Sequence, residues 1–186
     1  MKKVTILAVI VSALWLAAMV WFICLRVEFE QNCTGYLKQA ADANTIELAI
    51  DRLDKAIDYV ELQDWTDGYT SILWRTEDEN IGFWYKNIKA SRVELEKALD
   101  ASQMEQTNVL MKLRETLTES CGDGTYITYP CGLWKYPKNL EFALFSWFIN
   151  LLFVGVWIYW LYKFANKYYY ISTLRRIYEK SDDFNI

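Results

Sequence analysis

Three groups of residues in this 186-residue chain carry side chains able to do chemistry. The first is a set of thiols, Cys33, Cys121 and Cys131, lying between two long apolar runs. Cys121 and Cys131 bracket a short loop whose closure costs little entropy, which favours a disulfide between them. A bond from Cys33 to Cys121 is the rival, and it would tie the base of one helix to the end of another. Both readings are structural. A redox or metal thiol site would call for Cys-x-x-Cys spacing or a histidine, and the chain has neither that spacing nor any histidine. The fourth thiol, Cys24, closes the first apolar run without the small preceding residue that lipidation requires, so it reads as a buried apolar-facing group.

The second group combines carboxylates and rings between Asp64 and Tyr85. Asp64, Asp67, Glu77, Asp78 and Glu79 alternate with Trp65, Tyr69, Trp74, Phe83, Trp84 and Tyr85. Rings edged by acids suit a cation, a small amine or a protein partner, and Trp65, Tyr69, Trp74, Trp84 and Tyr85 are the candidate partner-binding positions. The blander alternative is that the rings close a small core while the acids cap a helix. Asp-x-x-Asp-Gly, at Asp64 to Gly68, is not the spacing of a calcium loop, and no metal or other cofactor is expected. Carboxylates alone can serve as acid and base, but that work needs a deep cleft, so no catalytic residue is assigned.

The third group lies in the second apolar run, where Ser146 and Asn150 stand four apart on one helical face. An asparagine in hydrocarbon is costly until it finds a partner. In the first run Ser12, among Ala8, Ala13 and Ala17, offers close approach, and another subunit is the alternative. Ser12, Ser146 and Asn150 are therefore the candidate packing residues between membrane helices. Asn32-Cys33-Thr34 has the form of a glycosylation acceptor, which matters only in a eukaryotic secretory pathway.

The elements that must position these groups begin with the two apolar runs. Val4 to Leu25 carries no charge and is long enough, at about 1.5 Å per residue, to cross a hydrocarbon core of about 30 Å. It lacks a small-x-small cleavage site and reads as an uncleaved anchor. The second run, residues 140–162, has Trp134 and Tyr136 before it and Trp157, Tyr159, Trp160 and Tyr162 at its end, as interfacial belts do. Lys2 and Lys3 flank the first run, and Lys163, Lys167, Arg175, Arg176 and Lys180 follow the second, so the positive-inside rule places both termini in the cytoplasm. Lys163, Lys167, Arg175 and Arg176 are expected to face lipid headgroups, on a helix lying along the inner leaflet.

Between the runs the sequence reads as helical. Asn44-Thr45-Ile46-Glu47 has the form of a helix start, after which Ile46, Ile50, Leu53, Ile57 and Val60 recur at spacings of three and four. Asp64 to Ser71 carries turn chemistry and is expected to be the loop farthest from the membrane. The capping box Thr76-Glu77-Asp78-Glu79 predicts a second helix from Glu77, running unbroken to Ser120 in preference to a break near Ala101. Gly122 to Lys138 is expected to be a structured loop and not a strand domain.

The fold class expected is thus an all-α membrane protein in which two transmembrane helices flank an extracytoplasmic helical hairpin or small helical bundle. Its segments are an anchor over 1–26, a domain over 27–139, a second span over 140–162 and a basic, aromatic tail over 163–186. Residues 27–138 hold 20 acidic and 12 basic side chains, a balance that argues against nucleic acid as a partner. The expected setting is an integral position in a bacterial inner membrane, with the domain periplasmic or extracellular. Membrane lipids and other membrane subunits, including further copies of the chain, are the expected partners. No enzyme chemistry is expected. An accessory or structural subunit is the leading reading and a sensor module the alternative, although the short stretch after the second span leaves little room for an output domain.

Overall fold

The structure, a computed structural model, describes residues 2–121 and 124–182. It is mostly helical. The chain divides into two compact units: the described residues of Met1–Phe22 and Ala143–Ile186 form a paired-helix unit, and Ile23–Phe142 forms a central unit.

Helix α1 (Lys2–Phe29) passes through a π-helical turn (Glu30–Thr34) directly into α2 (Gly35–Ala41). The last helix, α6, runs over Asn139–Asp182. Both continuous helices, Lys2–Ala41 and Asn139–Arg176, are long and apolar enough to cross a membrane.

The central unit is built from α2, α3 (Ile46–Leu62), α4 (Ile81–Lys97) and α5 (Gln103–Leu117), packed in a ring in which each touches the next and α5 returns to α2. Each helix buries one stripe. Ile46, Ala49, Leu53, Ala56, Ile57 and Val60 come from α3, Ile81, Trp84, Ile88 and Leu95 from α4, and Leu113 and Leu117 from α5. Phe29, Cys33, Leu37 and Ala40 complete the core from the first helix. Phe29, Cys33 and Leu37 are spaced four apart and present one face to the core through the π turn. Ion pairs between α3 and α4 fix their opposite directions. Glu61 pairs with Lys89 at 2.8 Å and Asp54 with Arg92, so positions descending in one helix meet positions ascending in the other.

Several expectations from the sequence need correction. The stretch after Thr76 is not one helix: Glu77–Glu79 forms a 3-10 turn, α4 starts only at Ile81, and the chain breaks again at Ala98 to Ser102. Asn80 caps α4 by accepting from the Phe83 N–H at 3.0 Å, and Ser102 caps α5 by accepting from that of Glu105 at 3.4 Å. The break wins because folding back lets Leu113 and Leu117 reach the core, whereas a straight helix would carry them past it. Within the expected helix start, Thr45 caps α3 by accepting from the Leu48 N–H at 3.3 Å. Strands also occur: β1 (Thr118–Cys121) pairs antiparallel with β2 (Gly124–Ile127). No disulfide is present among the described residues. Cys33 and Cys131 carry free thiols, and the side chain of Cys121 lies outside the described residues.

The loop after α3 is placed at the opposite end from the one expected. Trp65 packs on Phe29 with ring centroids 5.8 Å apart, and its indole N–H donates to the Tyr136 carbonyl at 3.0 Å. Phe29 and Tyr136 stand where the chain comes into the central unit from α1 and leaves it towards α6. The loop therefore sits at this end, the neck, and the turns at Asp42 to Thr45 and Ala98 to Ser102 occupy the other. Counting helical passes gives the reason: with α2 as the first outward pass, α3 must return and deliver its C-terminus beside Phe29.

Candidate functional site

Of the residues that combine acids and rings, Glu77, Asp78, Glu79, Phe83 and Trp84 line an open cleft of about 840 Å³. One wall is the 3-10 turn with Glu77, Asp78 and Glu79, followed by Asn80 and Phe83 at the start of α4. The opposite wall comes from Thr116, Glu119 and the segment Thr128 to Cys131, which the β-hairpin brings across. Trp84 lies between the two walls, with its indole N–H donated to the Thr128 carbonyl at 3.0 Å. The cleft thus has an acidic rim over Phe83, Trp84 and Tyr129, an arrangement suited to a cationic or amine-bearing group. Burial pushes the Tyr129 hydroxyl above its ordinary range, and Glu30 adds to this while Arg26 opposes it. Among the described residues no three histidine, cysteine or carboxylate side chains are grouped to hold a metal ion.

The five aromatic positions singled out from the sequence do not form one surface. Trp65 and Trp84 are buried in the core. Tyr69 accepts from the Asn80 amide at 3.1 Å and carries the Arg75 guanidinium over its ring at 5.1 Å. Tyr85 donates to the Glu61 carboxylate, which Lys89 also reaches. Those two hydrogen bonds, that of Lys89 first, hold the Glu61 carboxyl below its usual range. Trp74 alone of the five has a largely exposed ring. Glu119, Thr128, Tyr129 and Cys131 were missed as cleft residues, since only the hairpin brings them opposite α4 and nothing local in the sequence marks it.

The paired-helix unit holds the second constellation. Trp15 of α1 donates its indole N–H to Asn150 Oδ1 at 3.1 Å and stacks on Phe153 at 4.9 Å. In the other direction Trp157 donates to Ser12 Oγ at 3.1 Å and Trp160 to Thr5 Oγ1 at 3.3 Å. The Asn150 amide also donates to the Ser146 carbonyl at 2.7 Å. Ala8, Val11 and Ala18 are buried in the unit, letting the helices approach closely. Beside these contacts an apolar groove of about 470 Å³ runs along the pair, lined by Leu14, Ala17, Trp21, Phe145, Phe148 and Leu152 among others.

The basic residues Lys163, Lys167, Arg175 and Arg176 all lie on α6, which continues past residue 162 without interruption. No glycine or proline follows Gly155 within it, so nothing in the sequence would bend the tail flat onto a leaflet. Lys163 instead folds its ammonium over Tyr159, 5.8 Å from the ring centre.

No family model matches the chain, and comparison with curated proteins and with solved structures found no match.

Proposed function

We propose that this protein is a non-catalytic accessory subunit of a membrane assembly, held by α1 and α6 as a two-helix anchor that receives a helix of another subunit. The observation that carries this reading is the apolar groove on the paired helices. Its lining includes Ala17 and Ala18, small residues of the kind that let a neighbouring helix approach closely, beside the large rings of Trp21, Phe145 and Phe148. The polar side chains of the pair, Thr5, Ser12 and Asn150, are hydrogen-bonded across to indoles, so a further helix would dock by packing alone. The basic flanks support, by the positive-inside rule, a reading with both termini in the cytoplasm and the central unit across the membrane, in the periplasm of a bacterial cell.

Crosslinking and mass spectrometry on native membranes, after mild-detergent extraction, is the test. Recovery of a fixed complex from the unmodified chain, reduced about tenfold or more by Ala17→Trp, is the expected result. A clean monomer from both chains would overturn the proposal.

A second reading, a sensor whose ligand enters the acidic cleft at the neck, is favoured by the cleft's volume and ring-lined wall. It would gain from the clean-monomer result, because a ligand site does not require a standing complex.

A further inference from the structure

Between Trp65 and Asn80 the chain leaves the helices as a small lobe. Its base is pinned: the Ile81 N–H donates to the Gly68 carbonyl at 3.0 Å, the Thr70 N–H donates to the Glu79 carbonyl at 3.1 Å, and Tyr69 bridges Asn80 antiparallel. Past that base come Ile72, Leu73 and Trp74, which are 45%, 80% and 75% exposed. Leu62, the last residue of α3, is 81% exposed close to where the lobe begins. Large apolar side chains scattered singly over a surface need no explanation, but three in succession at the tip of a pinned lobe do.

The position of the lobe says what covers them. Trp65, just before it, touches Phe29 on one side and hydrogen-bonds Tyr136 on the other. Gly68 is pressed so close to the Tyr136 ring that an added Cβ would stand 2.3 Å from the hydroxyl oxygen. Phe29 lies four residues beyond the uncharged run that ends at Leu25, a rise of about 6 Å along the helix. Tyr136 precedes the apolar start of the second run, Leu140, by the same count. The base of the lobe is thus about one or two helical turns from hydrocarbon at both crossings. Ile-Leu-Trp followed by Arg75 is also interface chemistry: an indole and a guanidinium belong at the headgroup level and the aliphatic chains just below it.

We infer that Ile72, Leu73 and Trp74 insert into the headgroup boundary of the bilayer crossed by α1 and α6, giving the central unit a third membrane contact. The lobe then holds the neck at a fixed height over the membrane, since a lobe pinned at Gly68, Thr70 and Tyr69 moves with the helices it is bonded to.

The test uses the full chain reconstituted in vesicles of phosphatidylethanolamine and phosphatidylglycerol. These contain a phospholipid bearing a diazirine near the glycerol end of one acyl chain, and photoadducts are mapped by mass spectrometry after digestion. Adducts on Ile72 to Trp74, alongside those on α1 and α6, are the expected result. In the Leu73→Asp, Trp74→Asp double variant, labelling of the lobe should fall at least severalfold while labelling of α1 and α6 stays unchanged. Labelled α1 and α6 with an unlabelled lobe in the unmodified chain would overturn the inference. So would capture of residues 72–74 by a protein partner in native membranes, or a double variant labelled like the parent.

Discussion

Cys33 is wholly buried among core residues, and that burial pushes its thiol from an ordinary 9.0 up to about 12. The thiolate is the reactive form, so Cys33 is shielded twice, by exclusion of the reagent and by retention of its proton. Cys131 is exposed. A maleimide applied to native membranes near neutral pH should therefore modify Cys131 promptly and Cys33 only after denaturation, with intact mass and peptide mapping as the readout. If Cys131 reacted only after reduction, a bond to Cys121 would be established instead. The sign of the pH effect follows from the same shift. Between pH 9 and about pH 12 an unfolded chain would ionise this thiol while the folded chain keeps its proton. Its contribution to stability is thus complete below pH 9 and is lost as pH rises towards 12. Tyr59, which burial, helped by Glu28, also pushes up to about 12, acts in the same sense. The cysteine positions were plain in the sequence, yet their pairing was not, because spacing limits loop entropy but does not say which way a side chain faces.

At the scale of elements, the π turn carries a test of its own. The Gly35 N–H bonds back to the Glu30 carbonyl, and a Cβ at Gly35 would stand 2.8 Å from that same oxygen. Backbone must move to admit it. Gly35→Ala should destabilise the central unit by about 0.5–2 kcal/mol, the roughly 1–3 kcal/mol of overpacking less the roughly 0.5–1 kcal/mol that alanine returns in a helix. Thermal melts of the full chain in detergent would measure it, and a stabilised variant would show that the π turn does not persist in solution. The helical character of α3, α4 and α5 was legible from apolar spacing, although one unbroken helix from Glu77 was preferred where α4 and α5 are two. The extent of the elements was not. A strong capping box at Thr76 marks a start, but its hydroxyl bonds the Glu79 side chain at 3.1 Å and the helix waits for Asn80. The β-hairpin was missed because four-residue strands carry too little alternation to stand out beside a long helix.

For the whole molecule, Trp65 joins parts that are far apart in sequence. Its ring meets Phe29 and Tyr59, and its N–H reaches Tyr136, closing the neck where both long helices depart. Trp65→Ala should cost about 3–5 kcal/mol and open the neck to protease. Trp65→Phe keeps a ring but leaves the Tyr136 carbonyl without its donor, at roughly 1–3 kcal/mol. Limited proteolysis of the reconstituted chain, read by cleavage within residues 63–80 and 128–138, would rank the two, and equal resistance in both variants would remove Trp65 from this role. The sequence by itself determined the two apolar helices, the helical content between them and the polar pair in the second run. These rest on length, composition and spacings of three and four, which are properties of one segment at a time. Only the tertiary structure decided that the aromatic loop lies at the neck, that α4 and α5 are separate, and that the hairpin faces the acids across a cleft. Each of these depends on how many times the chain passes along the core, and that number is set by packing between segments, which no single segment encodes.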